Sequence, residues 1–213
     1  MRLVVINILI LYSTQVWAQT DLGVGLVSII DFDEKTILEF YSDTIDKSPR
    51  KEIMFFYDKT VSRWDIEGYK KKKKWLNPEV LWLPRLTFRC RTKTEKWLEV
   101  IVNNDNQKTY WIKRDNSTKF EDWEEYLQNT IGIERLSNRP QKIRTHPIES
   151  SKEIKYQGSD CFSIKSVKGN WIEITTPPYC LESFPEYRTP IESGWIKWRN
   201  GNELIINCFA VGS

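Results

Sequence analysis

Phe88–Val100 reads FRCRTKTEKWLEV, and Phe162–Ile174 reads FSIKSVKGNWIEI. Set side by side without a gap, Phe88 meets Phe162, Cys90 meets Ile164, and Trp97 meets Trp171. Leu98-Glu99-Val100 then meets Ile172-Glu173-Ile174, and Trp111-Ile112-Lys113 recurs as Trp195-Ile196-Lys197. Each stretch alternates apolar and polar residues on either side of a polar turn, which is the period of a half-buried hairpin. The repeat decides the fold class: a mainly β chain carrying one small unit twice in tandem. The first copy is placed at residues 22–115 and the second at 137–213, with 116–136 between them.

Ahead of the first copy, Leu3–Tyr12 is apolar apart from Asn7, follows Met1-Arg2, and leads to Val16-Trp17-Ala18. This three-part pattern predicts a secretory signal peptide over residues 1–18 and is too short for a membrane span. A buried N-terminal strand is the alternative. Cleavage after Ala18 leaves 195 of the 213 residues, a length that suits two small domains. The net charge of +3 lacks the strongly basic balance of a nucleic-acid binder. No later run is long and apolar enough to span a membrane. Ten tryptophans, nine of them past the signal, point to thin cores completed by large rings.

An exported chain can form disulfides. Cys90 stands at the core-facing position of Ile164, so a buried free thiol is expected there. A turn at Val167–Asn170 sets Ile164 opposite Glu173 and Phe162 opposite Thr175. That register brings Cys161 near Cys180, and a Cys161–Cys180 disulfide is expected, with Cys180–Cys208 as the competing pair. With no C-x-x-C and a single histidine, His146, no metal site and no cofactor are predicted.

Leu26–Phe32 and Thr36–Tyr41 flank Asp33-Glu34-Lys35 and read as a hairpin. Between the copies the period changes. Phe120, Trp123, Leu127 and Ile131 recur at steps of three and four, and Thr118 with Glu121 forms a capping-box pattern. A helix over Lys119–Ile131 is predicted. Asn200-Gly201-Asn202 is a strong hairpin turn.

Asn170-Trp171-Ile172-Glu173-Ile174 followed by Gly194-Trp195-Ile196 resembles the bacterial Src-homology-3 pattern. In that pattern a tryptophan opens one strand and a Gly-Trp-aliphatic triplet opens the next. The first copy carries Lys96-Trp97-Leu98-Glu99-Val100 and Tyr110-Trp111-Ile112, with Tyr110 where the glycine belongs. Upstream, Ile143–Pro147 and Lys152-Glu153-Ile154 look like Phe40–Asp43 and Lys51-Glu52-Ile53. The resemblance implies two half-open β-barrels joined by the helix, and non-catalytic binding of cell-wall peptides, other peptides or partner domains. It also implies that Trp97 and Trp171 border a groove, while Trp111 and Trp195 help close the barrel.

Each copy has an insertion. Met54–Leu83 carries Trp64, Tyr69, the lysine run Lys70–Lys74, Trp75 and Trp82. It reads either as a basic, aromatic contact surface or as a solvated turn with its rings folded inward, and it is expected to cover part of the first groove. Thr176–Ser193 carries Tyr179, Phe184 and Tyr187, which form either platforms beside a groove or a cluster pinned by Cys180. The ligand-binding candidates are therefore Trp97, Trp171, Tyr179 and Tyr187. Catalytic motifs are missing: there is no G-x-S-x-G, no phosphate loop and no histidine cluster. The expected function is non-enzymatic recognition of a peptide, cell-wall fragment or protein partner outside the cytoplasm. A cell-wall or glycan hydrolase using carboxylates near the first insertion is an alternative, and a structural subunit of an envelope assembly is another.

Overall fold

The computed structural model describes residues 21–82, 85–138, 140–157, 160–183 and 190–209. The expected signal peptide, Phe184 and Tyr187 lie outside the described residues. The first copy contains β1 (Gly25–Ile29), β2 (Ile37–Phe40), β3 (Lys51–Asp58), β4 (Arg63–Ile66), α1 (Tyr69–Lys72), β5 (Val80–Trp82), β6 (Arg85–Lys93), β7 (Trp97–Asn103), β8 (Lys108–Lys113) and β9 (Thr118–Asp122). After α2 (Trp123–Gln128) come β10 (Gly132–Arg135), β11 (Ile143–Arg144), β12 (Glu153–Ile154), β13 (Ser163–Lys168) and β14 (Trp171–Thr175). The chain continues with α3 (Pro178–Ser183), β15 (Gly194–Lys197), β16 (Arg199–Asn200), β17 (Glu203–Leu204) and β18 (Ile206–Phe209). The protein is mainly β with three short helices, and among the described residues no sheet closes into a barrel.

The repeat holds at the level of register. β6-β7-β8 and β13-β14-β15 are antiparallel meanders with the same pairings: Glu99 faces Trp111 as Glu173 faces Trp195, and Leu98 faces Ile112 as Ile172 faces Ile196. Each first hairpin also carries a register shift at the same place, between Cys90 and Thr92 and between Ile164 and Ser166. Ile164 therefore pairs with Ile174, not with Glu173, because one extra residue is absorbed as a bulge. The bulge has a side-chain signature. Thr92 Oγ1 donates to Glu99 Oε2 at 2.8 Å, and Ser166 Oγ donates to Glu173 Oε2 at 2.9 Å. The bulged Arg91 and Lys165 approach the same glutamates at 3.8 and 3.5 Å.

The correspondence runs beyond the meander. Tyr41 bridges Trp111 as Arg144 pairs with Trp195. Phe40 pairs with Lys51 as Ile143 pairs with Ile154, so Ile154 matches Lys51 and not Ile53 as the motifs suggest. Val27 lies between Phe88 and Phe120, and Ile133 lies between Phe162 and Cys208.

Two expectations fail for one reason. β1 and β2 do not form a hairpin; β1 pairs with β6 on one edge and β9 on the other. Residues 119–122, expected to open the helix, belong instead to the strand Thr118–Asp122 that satisfies that second edge, which overrides local helix preference. The helix is only Trp123–Gln128, and its N-cap is Asp122, whose carboxylate accepts from Glu125 N at 2.8 Å. Glu121 makes no cap; it accepts from Lys119 Nζ at 2.9 Å and Asn129 Nδ2 at 3.0 Å.

Two apolar cores result. Phe40, Ile53, Phe88, Leu98, Val100 and Ile112 centre the first, and Ile143, Phe162, Ile172, Ile174 and Ile196 the second. Leu22 and Leu26 belong to the second core although they precede the first copy's meander. They meet Trp123, Tyr126 and Leu127 of α2, so the short helix packs the two copies together. Trp123 lies 5.6 Å from Trp198 between ring centres, and both indoles are hydrogen-bonded, to Leu22 O at 3.1 Å and Gly169 O at 2.8 Å. Buried tryptophans need such partners for their N–H groups.

Candidate functional site

An open space lies where Trp171 starts β14. A groove of about 450 Å³ is lined by Trp171, Arg144, Lys142, Lys197, Glu149, Gln141 and the β16–β17 hairpin residues Asn200 and Glu203. Local chemistry explains its walls. Gly201 has φ +58, which lets the two-residue turn fold β16 onto β17 and raise one side. Gln141 fixes another: its amide donates to Lys197 O at 2.8 Å and Ile205 O at 3.0 Å, and its oxygen accepts from Lys197 N at 3.0 Å.

Two of the cations meet at one carboxylate, and one of them also lies over the ring. Lys197 Nζ is 5.4 Å from the Trp171 ring centre and 2.5 Å from Glu149 Oε1. Arg144 donates to Ser151 O at 2.8 Å and lies 3.8 Å from Glu149. The hydrogen bond from Lys197, with both positive charges behind it, holds the Glu149 carboxyl below the usual glutamate range. Lys142 is paired with Glu153 at 2.9 Å, and the bond from Lys142 lowers that carboxyl as well.

The matching place in the first copy is filled. Tyr41, the counterpart of Arg144, is buried and meets Trp97 edge-on at 5.2 Å. Its hydroxyl donates to Glu39 and accepts from Lys113 Nζ at 3.0 Å, which raises the lysine's pKa. The space remaining beside Tyr41 and Lys113 is about 60 Å³. The insertion is not what fills it. Trp75 packs against Phe40 and Tyr110 on the core side, Trp64 and Tyr69 border the same core, and Leu76 is fully buried. Lys70, Lys71, Lys73 and Lys74 are exposed, while Lys72 donates to Glu67 O at 2.5 Å.

The remaining candidates separate. Trp111 and Trp195 are half-buried, outside the cores that Ile112 and Ile196 enter, so they do not act as closing residues. Tyr179 does not line the Trp171 groove; its hydroxyl donates to Ile131 O at 3.1 Å beside β10. Cys161 and Cys180 are disulfide-bonded with Cα atoms 6.1 Å apart, and Cys90 and Cys208 are free thiols. Desolvation pushes Cys90 up to about 12. Three of the four insertion carboxylates have local partners: Asp58 accepts from Thr60, Asp65 lies 3.8 Å from Arg63, and Glu79 accepts from Arg89 at 2.7 Å. Among the described residues there is no cluster able to hold a metal ion and no helix long and apolar enough to cross a membrane.

Sequence reasoning found Trp171 and missed Arg144, Lys197 and Glu149. The repeat carried a signal for two of them: Lys113 and Lys197 close the matched triplets, and Arg144 aligns with Tyr41 in the matched upstream segments. Comparison of the chain with protein-family models, with characterised proteins and with solved structures returns no match.

Proposed function

We propose that the protein is an exported, non-catalytic binding module that takes a peptide segment, from a cell-wall component or a protein partner, in the groove of its second copy. One observation carries the reading. Of two matched positions, the second keeps a groove of about 450 Å³ beside Trp171, Arg144 and Lys197, while the first has about 60 Å³ beside Tyr41 and Lys113, in a space that Trp97 does not line. An aromatic face with a few fixed polar groups is the usual make-up of a recognition site. The short motifs resembling bacterial Src-homology-3 domains point the same way, and the N-terminal pattern supports export. The test is titration of the full chain with a short-peptide library and soluble cell-wall fragments, followed by tryptophan emission. Binding that is lost in Trp171→Ala and kept in Trp97→Ala supports the reading. Binding unaffected by Trp171→Ala rejects it.

A further inference from the structure

Glu149 is placed unlike the other charged groups of the groove. It sits in the loop between β11 and β12, its side chain is 66% exposed, and its two oxygens are spent on Lys197 and Arg144. The loop backbone does not depend on it: Thr145 N donates to Lys152 O at 3.0 Å, and Ser151 Oγ donates to His146 O at 2.9 Å. By the pairing that matches Ile143 with Phe40 and Ile154 with Lys51, the position of Glu149 is that of Asp46 in the first copy. Asp46 turns inward, accepting from Ser42 N at 3.1 Å and Asp43 N at 3.2 Å. The acid of the second copy alone reaches into a groove.

The two cations are anchored independently of it. Arg144 is only 19% exposed and bonded to Ser151 O, and Lys197 is 29% exposed over Trp171. Remove the Glu149 side chain and Arg144 and Lys197 lose the carboxylate they share, with Lys197 still beside the Trp171 ring. An exposed ion pair contributes about fivefold at most, so the swing of Glu149 into water costs little. A carboxylate arriving from outside would recover the same bonds and add its own contact with Trp171.

Building on the peptide-binding reading, we propose that Glu149 is an internal stand-in for the ligand, and that the groove selects peptides bearing a carboxylate, which displaces Glu149 from Arg144 and Lys197. The occupant is thus an acidic peptide segment and not a neutral one. Arg144 orients a carboxylate through its planar fork, and Lys197 supplies a point charge beside the aromatic face.

The probes are two fluorescein-labelled hexapeptides, one alternating glutamate with alanine and one alternating glutamine with alanine, read by anisotropy against the full chain. The account expects the acidic probe to bind wild type more tightly than the amide probe. Glu149→Gln should tighten the acidic probe about twofold to fivefold, the range an exposed ion pair supplies, and leave the amide probe unchanged. Arg144→Gln and Lys197→Gln should each abolish the preference; Arg144→Lys, which keeps the charge, should restore part of it and guards against a folding defect. If both probes bind equally and Glu149→Gln changes neither, the carboxylate inference falls while peptide binding stands. If neither probe perturbs Trp171 in wild type or in Glu149→Gln, the inference falls, and the library titration decides the peptide-binding reading separately. Competition by inorganic phosphate as strong as by acetate would overturn the inference in favour of a general anion site.

Discussion

Tyr41 and Arg144 occupy the same place in two copies of one unit, and what stands beside the lysine that closes each Trp-Ile-Lys triplet differs with that exchange. Where the ring stands, it closes on Trp97, ties down Lys113 through its hydroxyl and leaves no room. Where the guanidinium stands, it leans on Ser151 O and leaves Trp171 facing a groove. A second exchange reinforces the first. Tyr110 packs between Phe40 and Trp75 in the first copy, while its counterpart Gly194 lies under Ile143 and Ile191. The shared hairpins carry the fold, and a few positions at strand ends set what each copy presents to solvent.

The largest expected difference lies at the junction. Trp198 is buried in the second core, and its counterpart after the Trp-Ile-Lys triplet, Arg114, is exposed. Trp198→Ala should cost about 3–5 kcal/mol in chemical denaturation, with Arg114→Ala within about 0.5 kcal/mol. Equal costs would break the comparison. The next difference is covalent. Only the second copy is stapled, and the Cys161–Cys180 bond closes a separation of 19 residues. Its removal in Cys161→Ser/Cys180→Ser should cost about 3 kcal/mol by chain entropy, measured by urea melts with and without reductant. Gly194→Ala comes third. A Cβ there would stand 2.5 Å from Ile143 Cγ2, so a loss of about 1–3 kcal/mol is expected.

The smallest effect concerns Cys90, where the second copy has Ile164. The folded thiol is held up to about 12 against an ordinary value of 9, so the unfolded chain loses this proton first. The contribution is complete below pH 9 and declines as pH rises toward 12, by about 1 kcal/mol between pH 9 and 10. Tyr126, raised to about 12 by burial, adds a similar decline starting from 10. Cys208, also raised to about 12 by burial, adds a decline over the same range, so Cys90→Val should reduce the early alkaline loss without abolishing it and leave neutral pH unchanged. An identical curve would show that Cys90 is not held protonated.

The sequence made the meander legible because alternation, the polar turns and the doubled Trp-x-Glu segment are local signals. It did not disclose the bulge, since a skipped residue leaves the matched segments the same length and shows only in the pairing of Ser166 with Glu173. Residues 119–122 were misread because their partner, β1, is almost a hundred residues away in the chain. The site follows the same division. Trp171 is visible as a repeated aromatic at a strand start. Arg144 and Glu149 become site residues only when β11 pairs with β15 and brings its loop beside Lys197. The lysine run looks conspicuous in sequence yet faces solvent, because the apolar residues around it supply the packing.

The two copies present one closed and one open site beside their matched tryptophans. Full-length protein labelled with 5-fluorotryptophan gives one fluorine resonance per tryptophan, assigned by Trp97→Phe and Trp171→Phe. Titration with the acidic hexapeptide is predicted to move the Trp171 resonance and leave that of Trp97 in place. A shift of Trp97 equal to or larger than that of Trp171 would contradict the account.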